Sequence, residues 1–355
     1  MQRPALLLIV AGSVGACLAL GPHLGAQGGQ GRGRGEGQTV VLEQAPTDRA
    51  IAIPTEKLAQ HLKDMDAKKL QTLRMIEGGK FNVNIRRITN AETALIHPNT
   101  TDLWVVLEGS GTLTSGGLVE NGKFVGGESH PIKVGDVVYL PANIPHGVSG
   151  VNGNITWLNV RWDTDWPADA PPGAGNFQGA GRGAARGARA GGDAPAAEAP
   201  RPAAAPAEGG RGAGRGGFPG PLEYAGSGEI FIPKERLDGY LKDMELKNVG
   251  TLRMIEGGRF NVNIRHIKEP SAEFHDVTVD TWVVLKGEGT AITAFDRTPQ
   301  GGRVDGTGVQ SPAKVGDVFF IPAHFPHGFS AVKSSDIYWL NIRWDVNYAN
   351  FPAAK

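Results

Sequence analysis

The stretch HPNTTDLWVVLEGSG, from His97 to Gly111, returns in altered form as HDVTVDTWVVLKGEG, from His275 to Gly289. Each copy sets a histidine, a carboxylate five residues later (Asp102 and Asp280), an apolar run and a glycine turn in the same order. An imidazole that ends one strand and a carboxylate that opens the next can face each other across the turn between them. Such a pair suits a divalent metal ion. The same residues also suit a barrel strand that happens to carry a histidine. No rival chemistry competes: the only cysteine is Cys17, close to the N-terminus, and no nucleophile elbow is present.

The elements that must position these residues are written twice. IPTEKLAQHLKDM from Ile53 returns as IPKERLDGYLKDM from Ile232, and TLRMIEGGKFNVNIR from Thr72 as TLRMIEGGRFNVNIR from Thr251. KVGDVVYLPANIPHG from Lys133 returns as KVGDVFFIPAHFPHG from Lys314, and WLNVRWD from Trp157 as WLNIRWD from Trp339. The order is kept, so a whole domain is duplicated in tandem. The reading is a domain over 39–166 and a second over 222–355. Between them, 167–221 is rich in Gly, Ala, Pro and Arg without apolar periodicity and is expected to be a disordered tether. Residues 27–38 read as a short Gly-rich lead-in of the same kind.

Residues 1–26 read as a secretory signal: Arg3, an apolar run from Ala5 to Leu20, and Gly25-Ala26 as a small-residue cleavage site. VGAC, ending at Cys17, is similar to a bacterial lipobox, which would give a lipid anchor at that cysteine as the one membrane contact. The expectation is an exported protein, periplasmic or extracellular. Formal net charge is zero, so nothing points to a nucleic-acid partner. With no cysteine beyond Cys17, the folded part relies on its cores and uses no disulfide.

Within each copy, an amphipathic helix comes first, with its stripe on Leu58, Leu62 and Met65, then on Leu237, Leu241 and Met244. Thr55, just after Pro54, is placed to cap the first helix. Short strands follow. Val119 to Val125 (VENGKFV) reads as a hairpin with an Asn-Gly turn. By period two, Asp102 shares a face with Trp104 and Val106, and Asp280 with Trp282 and Val284. Asn82, Asn84 and Arg86 share a face, as do Trp157, Asn159 and Arg161. The second copy repeats this with Asn261, Asn263, Arg265 and Trp339, Asn341, Arg343. If these faces enter a barrel, a buried guanidinium needs Asp102 or an anionic ligand as partner. If they face out, they form a solvated or inter-subunit surface.

Each copy resembles a cupin domain, and the chain resembles a bicupin. The family's first motif reads His-x-His, three or four residues, Glu, six residues, Gly. Here His97, Asp102 and Gly109 fall at its second His, its Glu and its Gly, as do His275, Asp280 and Gly287. The second motif is met by Gly135, Pro141, Asn143 and His146, and by Gly316, Pro322, His324 and His327. The departures are the first His, which is Leu95 in one copy and Glu273 in the other, and the shorter Asp.

The resemblance implies an all-β fold, two tandem jelly-roll barrels each preceded by a short helix. It also implies a metal site in each barrel: His97, Asp102 and His146, then His275, Asp280 and His327. Two imidazoles and one carboxylate form a facial triad with open positions. Four of the chain's 9 histidines stand in these matched places. The ion would be Mn, Fe, Zn, Ni or Cu. His324 would be a further ligand or a turn residue, since Asn143 holds its place. Trp104 and Trp282 would line a ligand wall or fill the barrel, and Arg161 and Arg343 would meet a carboxylate substrate. The functions implied are a metal-dependent oxidoreductase, decarboxylase or isomerase acting on a small organic acid or oxygenated molecule, or a non-catalytic module binding a small saccharide or carboxylate. Pairing into homo-oligomers through the outer sheets is the family habit.

Overall fold

The computed structural model describes residues 39–92, 94–165 and 220–346. The signal segment, the lead-in and nearly all of the expected tether lie outside the described residues. The first repeat gives β1 (Thr39–Val41), β2 (Ile51–Ile53), α1 (Thr55–Lys68), β3 (Thr72–Glu77), β4 (Phe81–Ile88), β5 (Thr100–Ser115), β6 (Leu118–Glu120), β7 (Lys123–Val125), β8 (Glu128–Lys133), β9 (Val137–Leu140), β10 (His146–Ser149) and β11 (Ile155–Asp163). The second gives β12 (Glu223–Tyr224), β13 (Ile230–Ile232), α2 (Lys234–Lys247), β14 (Thr251–Glu256), β15 (Phe260–Ile267), β16 (Ser271–Glu273), β17 (Thr278–Thr293), β18 (Val309–Lys314), β19 (Val318–Ile321) and β20 (His327–Asp345). The hairpin turn is Asn121-Gly122, both at positive φ, which the primed two-residue turn requires.

Two nine-stranded sheets form two barrels. In the first, the strand order is β1-β3-β4-β11-β5-β9-β13, and the far half of β5 also pairs with β8 and β10. The second runs β12-β14-β15-β20-β17-β19-β2, with β16 on β20 and β18 on β17. Each sheet thus closes on a strand from the other repeat: β13 pairs with β9 in the first barrel, and β2 with β19 in the second. All the described residues fall in one compact unit.

The exchange explains how the helices start. Thr55 is the first residue of α1, and its side chain does not cap the helix. The sequence expectation for Thr55 is therefore corrected. The cap is Asp317 of the second repeat, whose Oδ1 accepts the Thr55 backbone N–H and hydroxyl, each at 2.8 Å, while its Oδ2 accepts Lys314 N–H at 2.9 Å. A carboxylate satisfies an orphan N–H of the first turn and complements the helix dipole better than the hydroxyl can. Asp136 does the same for α2 through the Lys234 N–H at 2.8 Å. The Gly-Asp of the KVGDV repeat is thus a clasp between barrels.

Period two sorts the side chains into two buried faces. Val83, Ile85, Leu103, Val105, Leu158 and Val160 point away from the first barrel's interior and join the equivalent residues of the second in one shared core. Its aromatic centre has approximate two-fold symmetry. Phe81 stacks on Phe320 at 5.8 Å, Tyr139 on Phe260 at 5.6 Å, and Trp162 on its own counterpart Trp344 at 5.8 Å. The opposite faces line two separate barrel interiors, one around Trp104, Val106, Leu140 and Trp157, the other around Trp282, Val284, Ile321 and Trp339.

Candidate metal centre

β5 and β11 carry the polar floor of the first barrel. Their register sets Asp102 opposite Arg161 and Trp104 opposite Asn159, and β4 continues the rows with Asn82 and Asn84. The Asn and Arg faces therefore enter the barrel, settling the choice that the sequence leaves open. Arg161 Nε lies 2.8 Å from Asp102 Oδ1, and Asn159 Nδ2 donates to the same oxygen at 3.0 Å. The buried guanidinium finds its partner in the carboxylate. Burial acts to raise the pKa of Asp102. The charge of Arg161, then those of His97 and His146 and the Asn159 hydrogen bond, outweigh it and hold the group below its ordinary value.

Asp102 Oδ2 is buried and has no hydrogen-bond partner among the described residues. It faces His97 Nε2 at 3.9 Å. His97 lies just before β5, where its carbonyl accepts the Asn143 N–H at 2.7 Å. His146 opens β10, and its backbone exchanges two hydrogen bonds with Leu95. His146 Nδ1 is 3.0 Å from the Ile144 carbonyl. A carbonyl only accepts, so Nδ1 is the donor, and Nε2 is the nitrogen remaining for a metal. One donor atom each from His97, Asp102 and His146 all lie within 4.8 Å of one another. Burial lowers the pKa of His97 to about 4, with Asp102 opposing and Arg161, His146 and Arg86 assisting. It is a neutral imidazole at neutral pH, the form that binds a metal.

The second barrel repeats the arrangement with one addition. Asp280 Oδ2 lies 3.8 Å from His275 Nε2 and 3.4 Å from His327 Nε2, while Arg343 Nε sits 2.8 Å from Asp280 Oδ1. His327 Nδ1 faces the Phe325 carbonyl at 2.7 Å. Burial lowers the pKa of His327, against the charge of Asp280. The set whose donor atoms all lie within 4.8 Å of one another is Glu273, His275 and His327. Glu273 is the site residue the sequence analysis omits as a ligand. It stands two residues before His275 at the motif's first-His position, and β16 pairs it directly with His327. That spacing was its signal: period two puts Glu273 and His275 on one face.

The other expected residues are placed as follows. His324 is exposed at φ 63°, matching Asn143 at φ 65°, so it is a turn residue. Its N–H reaches the His275 carbonyl at 2.8 Å, as Asn143 reaches His97. Trp104 is buried between His146, edge-on at 5.8 Å, and Trp157 at 4.6 Å. Trp282 is buried among His327, Phe329 and Trp339. Arg161 and Arg343 meet the barrel's own aspartates. His97 and His275 retain 24% and 20% side-chain exposure, so the histidine side of each site is where a small molecule can enter.

The arrangement fits a divalent ion. Each site offers imidazole nitrogens and a carboxylate oxygen, with the carboxylate's second oxygen held by arginine, the usual outer support of a ligand. Residues 89–160 match the model of the Cupin domain family. This span runs through both motifs of the first repeat, and the second repeat carries the same motifs on the same strand order. The first repeat thus carries a Cupin domain. Among solved structures, the chain is similar to a salicylate 1,2-dioxygenase from Pseudaminobacter salicylatoxidans, at 14% identity over 84% of each chain and a TM-score of 0.48. It is also similar to a cupin 2 conserved barrel domain protein from Leptotrichia buccalis, at 9% identity over 78% of this chain and 88% of that one, with a TM-score of 0.41. No curated protein sequence matches the chain.

Proposed function

We propose that this cupin is a metal-dependent enzyme whose barrels each hold a divalent ion and act on a small organic acid or other oxygenated small molecule. The observation that carries the reading is Asp102 Oδ2: a buried carboxylate oxygen without a hydrogen-bond partner, converging with the imidazoles of His97 and His146. In the first barrel His97, Asp102 and His146 would hold the ion; in the second, His275, His327 and the neighbouring carboxylates. A bound divalent ion supplies Lewis acidity toward a substrate oxygen at its open positions. The chain's own residues do the rest. Arg161 and Asn159 keep Asp102 anionic and oriented. Trp104 and Trp157 exclude water and restrict the substrate's size. Two large indoles inside one small barrel favour a compact substrate over an extended one. Residues 1–26 support export as part of the same proposal.

The test is turnover by the metal-loaded full chain on a panel of small carboxylic and hydroxy acids, followed by oxygen uptake and by mass spectrometry of products. Conversion that disappears in His146→Ala and His327→Ala together supports the reading. A molecule that binds with metal-dependent affinity and is recovered unchanged would make the barrels binding sites.

A further inference from the structure

Each exchanged strand sends side chains into the other repeat's barrel. β13 packs Phe231 against the interior of the first barrel, whereas β2 packs Ala52 against that of the second. Just before β13 the second repeat also sends in Glu229, whose place in the other barrel is taken by Ala50. β13 sets Ile230 against Tyr139, so Glu229 comes level with Leu140, and Leu140 stands opposite Asp102. Two strand spacings separate Glu229 from Asp102, roughly 10 Å at their Cα atoms. The Glu229 side chain is only 6% exposed. Its Oε2 accepts the Ser115 hydroxyl, and Ser115 stands directly opposite His146. Its Oε1 is buried and has no hydrogen-bond partner among the described residues. That oxygen lies 3.9 Å from Nε2 of His130, which stacks on Phe231 at 5.0 Å and keeps 32% side-chain exposure. The charged groups that face Glu229 are His130 and Glu128, both of β8. Burial raises the pKa of Glu229, with the Ser115 hydrogen bond and the charge of His130 opposing and Glu128 assisting. A row of groups thus runs from solvent at His130, through Glu229, to the interior of the first barrel. The second barrel has Ser311 and Ala50 in those places, so the histidine–glutamate pair is particular to the first.

We propose, on the enzymatic reading above, that Glu229 is the proton donor to a small organic acid held in the first barrel, and that His130 recharges it from solvent. The Glu229 O–H bond breaks as its proton bonds to the anionic centre that the reaction leaves on the substrate, and the O–H electron pair stays on Oε1. The carboxylate then takes a proton from His130 Nε2, and water returns one to the imidazole. Histidine is the side chain suited to carry protons near neutral pH. A rotation of its half-exposed ring closes the 3.9 Å gap. A general acid works best when its pKa approaches the working pH, and burial moves Glu229 in that direction. Ser115 holds Oε2, which leaves Oε1 as the oxygen that transfers the proton.

The experiment has a part without substrate and a part with it, both on the full chain. Infrared difference spectra of the metal-free wild-type chain against Glu229→Gln should show the protonated carboxyl of Glu229 persisting above the ordinary glutamate range. Glu229→Gln keeps an acceptor for the Ser115 hydroxyl and should fold, which its unfolding midpoint checks. The metal-loaded chain is then assayed across pH on the panel of small carboxylic and hydroxy acids. Wild-type kcat should fall as the pH rises through the raised pKa of Glu229, because the protonated form is the donor. Glu229→Gln should lower kcat by about 100-fold or more, change KM far less, and lose that alkaline fall. His130→Gln should slow turnover, and added imidazole should restore it. A carboxyl that loses its proton in the ordinary range, a kcat retained in Glu229→Gln, or a loss in His130→Gln that imidazole does not repair would overturn the donor role while leaving turnover intact. No conversion of any acid by the wild-type chain would overturn the enzymatic reading and the donor role with it.

Discussion

Replacing Asp317 by alanine removes three hydrogen bonds at once, and two of them hold the first repeat's helix to the second barrel. Oδ1 accepts the backbone N–H and the hydroxyl of Thr55, and Oδ2 accepts the N–H of Lys314. Hydrogen bonds to a charged acceptor contribute roughly 1.5–3 kcal/mol each at most, and those that share one acceptor contribute less than their sum. The expected cost is about 3–5 kcal/mol. The molecule contains its own control. Asp136 clasps α2 through the N–H of Lys234 and accepts the N–H of Lys133 from its own barrel, but Lys234 stands where Thr55 stands, so the hydroxyl bond is absent. Asp136→Ala should therefore cost about 1 kcal/mol less than Asp317→Ala. In a Thr55→Lys background the two costs should become equal. The assay is guanidinium unfolding of the full chain at neutral pH, read by tryptophan fluorescence, with the midpoint compared at constant slope. A loss below about 1 kcal/mol for either variant, or Asp136→Ala costing more than Asp317→Ala, would refute the clasp.

Three further outcomes follow from the same structure. Trp162→Ala removes one half of the central indole pair and should cost about 3–5 kcal/mol, read in the same unfolding assay. Burial holds His97 at about 4 in the folded chain, against about 6.5 when unfolded, so the unfolded chain takes up the proton first. The stability it contributes is complete above about pH 6.5 and falls by about 3 kcal/mol as the pH drops to about 4. His97→Gln should flatten that part of the profile. Finally, 39–165 and 220–346 produced as separate chains should bind each other, because each sheet closes on a strand from the other repeat. Two halves that stay monomeric and fully folded when mixed would contradict the exchange.

Much of this fold is legible in the residues. The duplicated segments give two like repeats, each of which builds most of one barrel, and the period-two pattern around Asp102, Trp104 and Val106 gives a shared face. What period two cannot decide is which face is inside, because both are buried. Val83 and Val160 are fully buried against the other barrel, and Asn84 and Asn159 are buried within their own. The partner of Asp102 settles the direction. The strand exchange is invisible for a different reason: IAI at Ile51–Ile53 and IFI at Ile230–Ile232 present the same pattern and could pair with either copy of the KVGDV strand. Glu273 is hidden because it appears in the sequence as a missing histidine. Its spacing from His275 hints at a common face, and the pairing of β16 with β20 sets it beside His327.

The central claim is that each barrel is built to hold a metal ion. It is tested most directly by metal content of the purified chain, measured by plasma mass spectrometry beside a variant carrying His97→Ala, His146→Ala, His275→Ala and His327→Ala. The account predicts one equivalent per barrel in the wild-type chain and none in the variant. No metal in the wild-type chain, even after incubation with Fe, Mn, Ni and Zn, would contradict it.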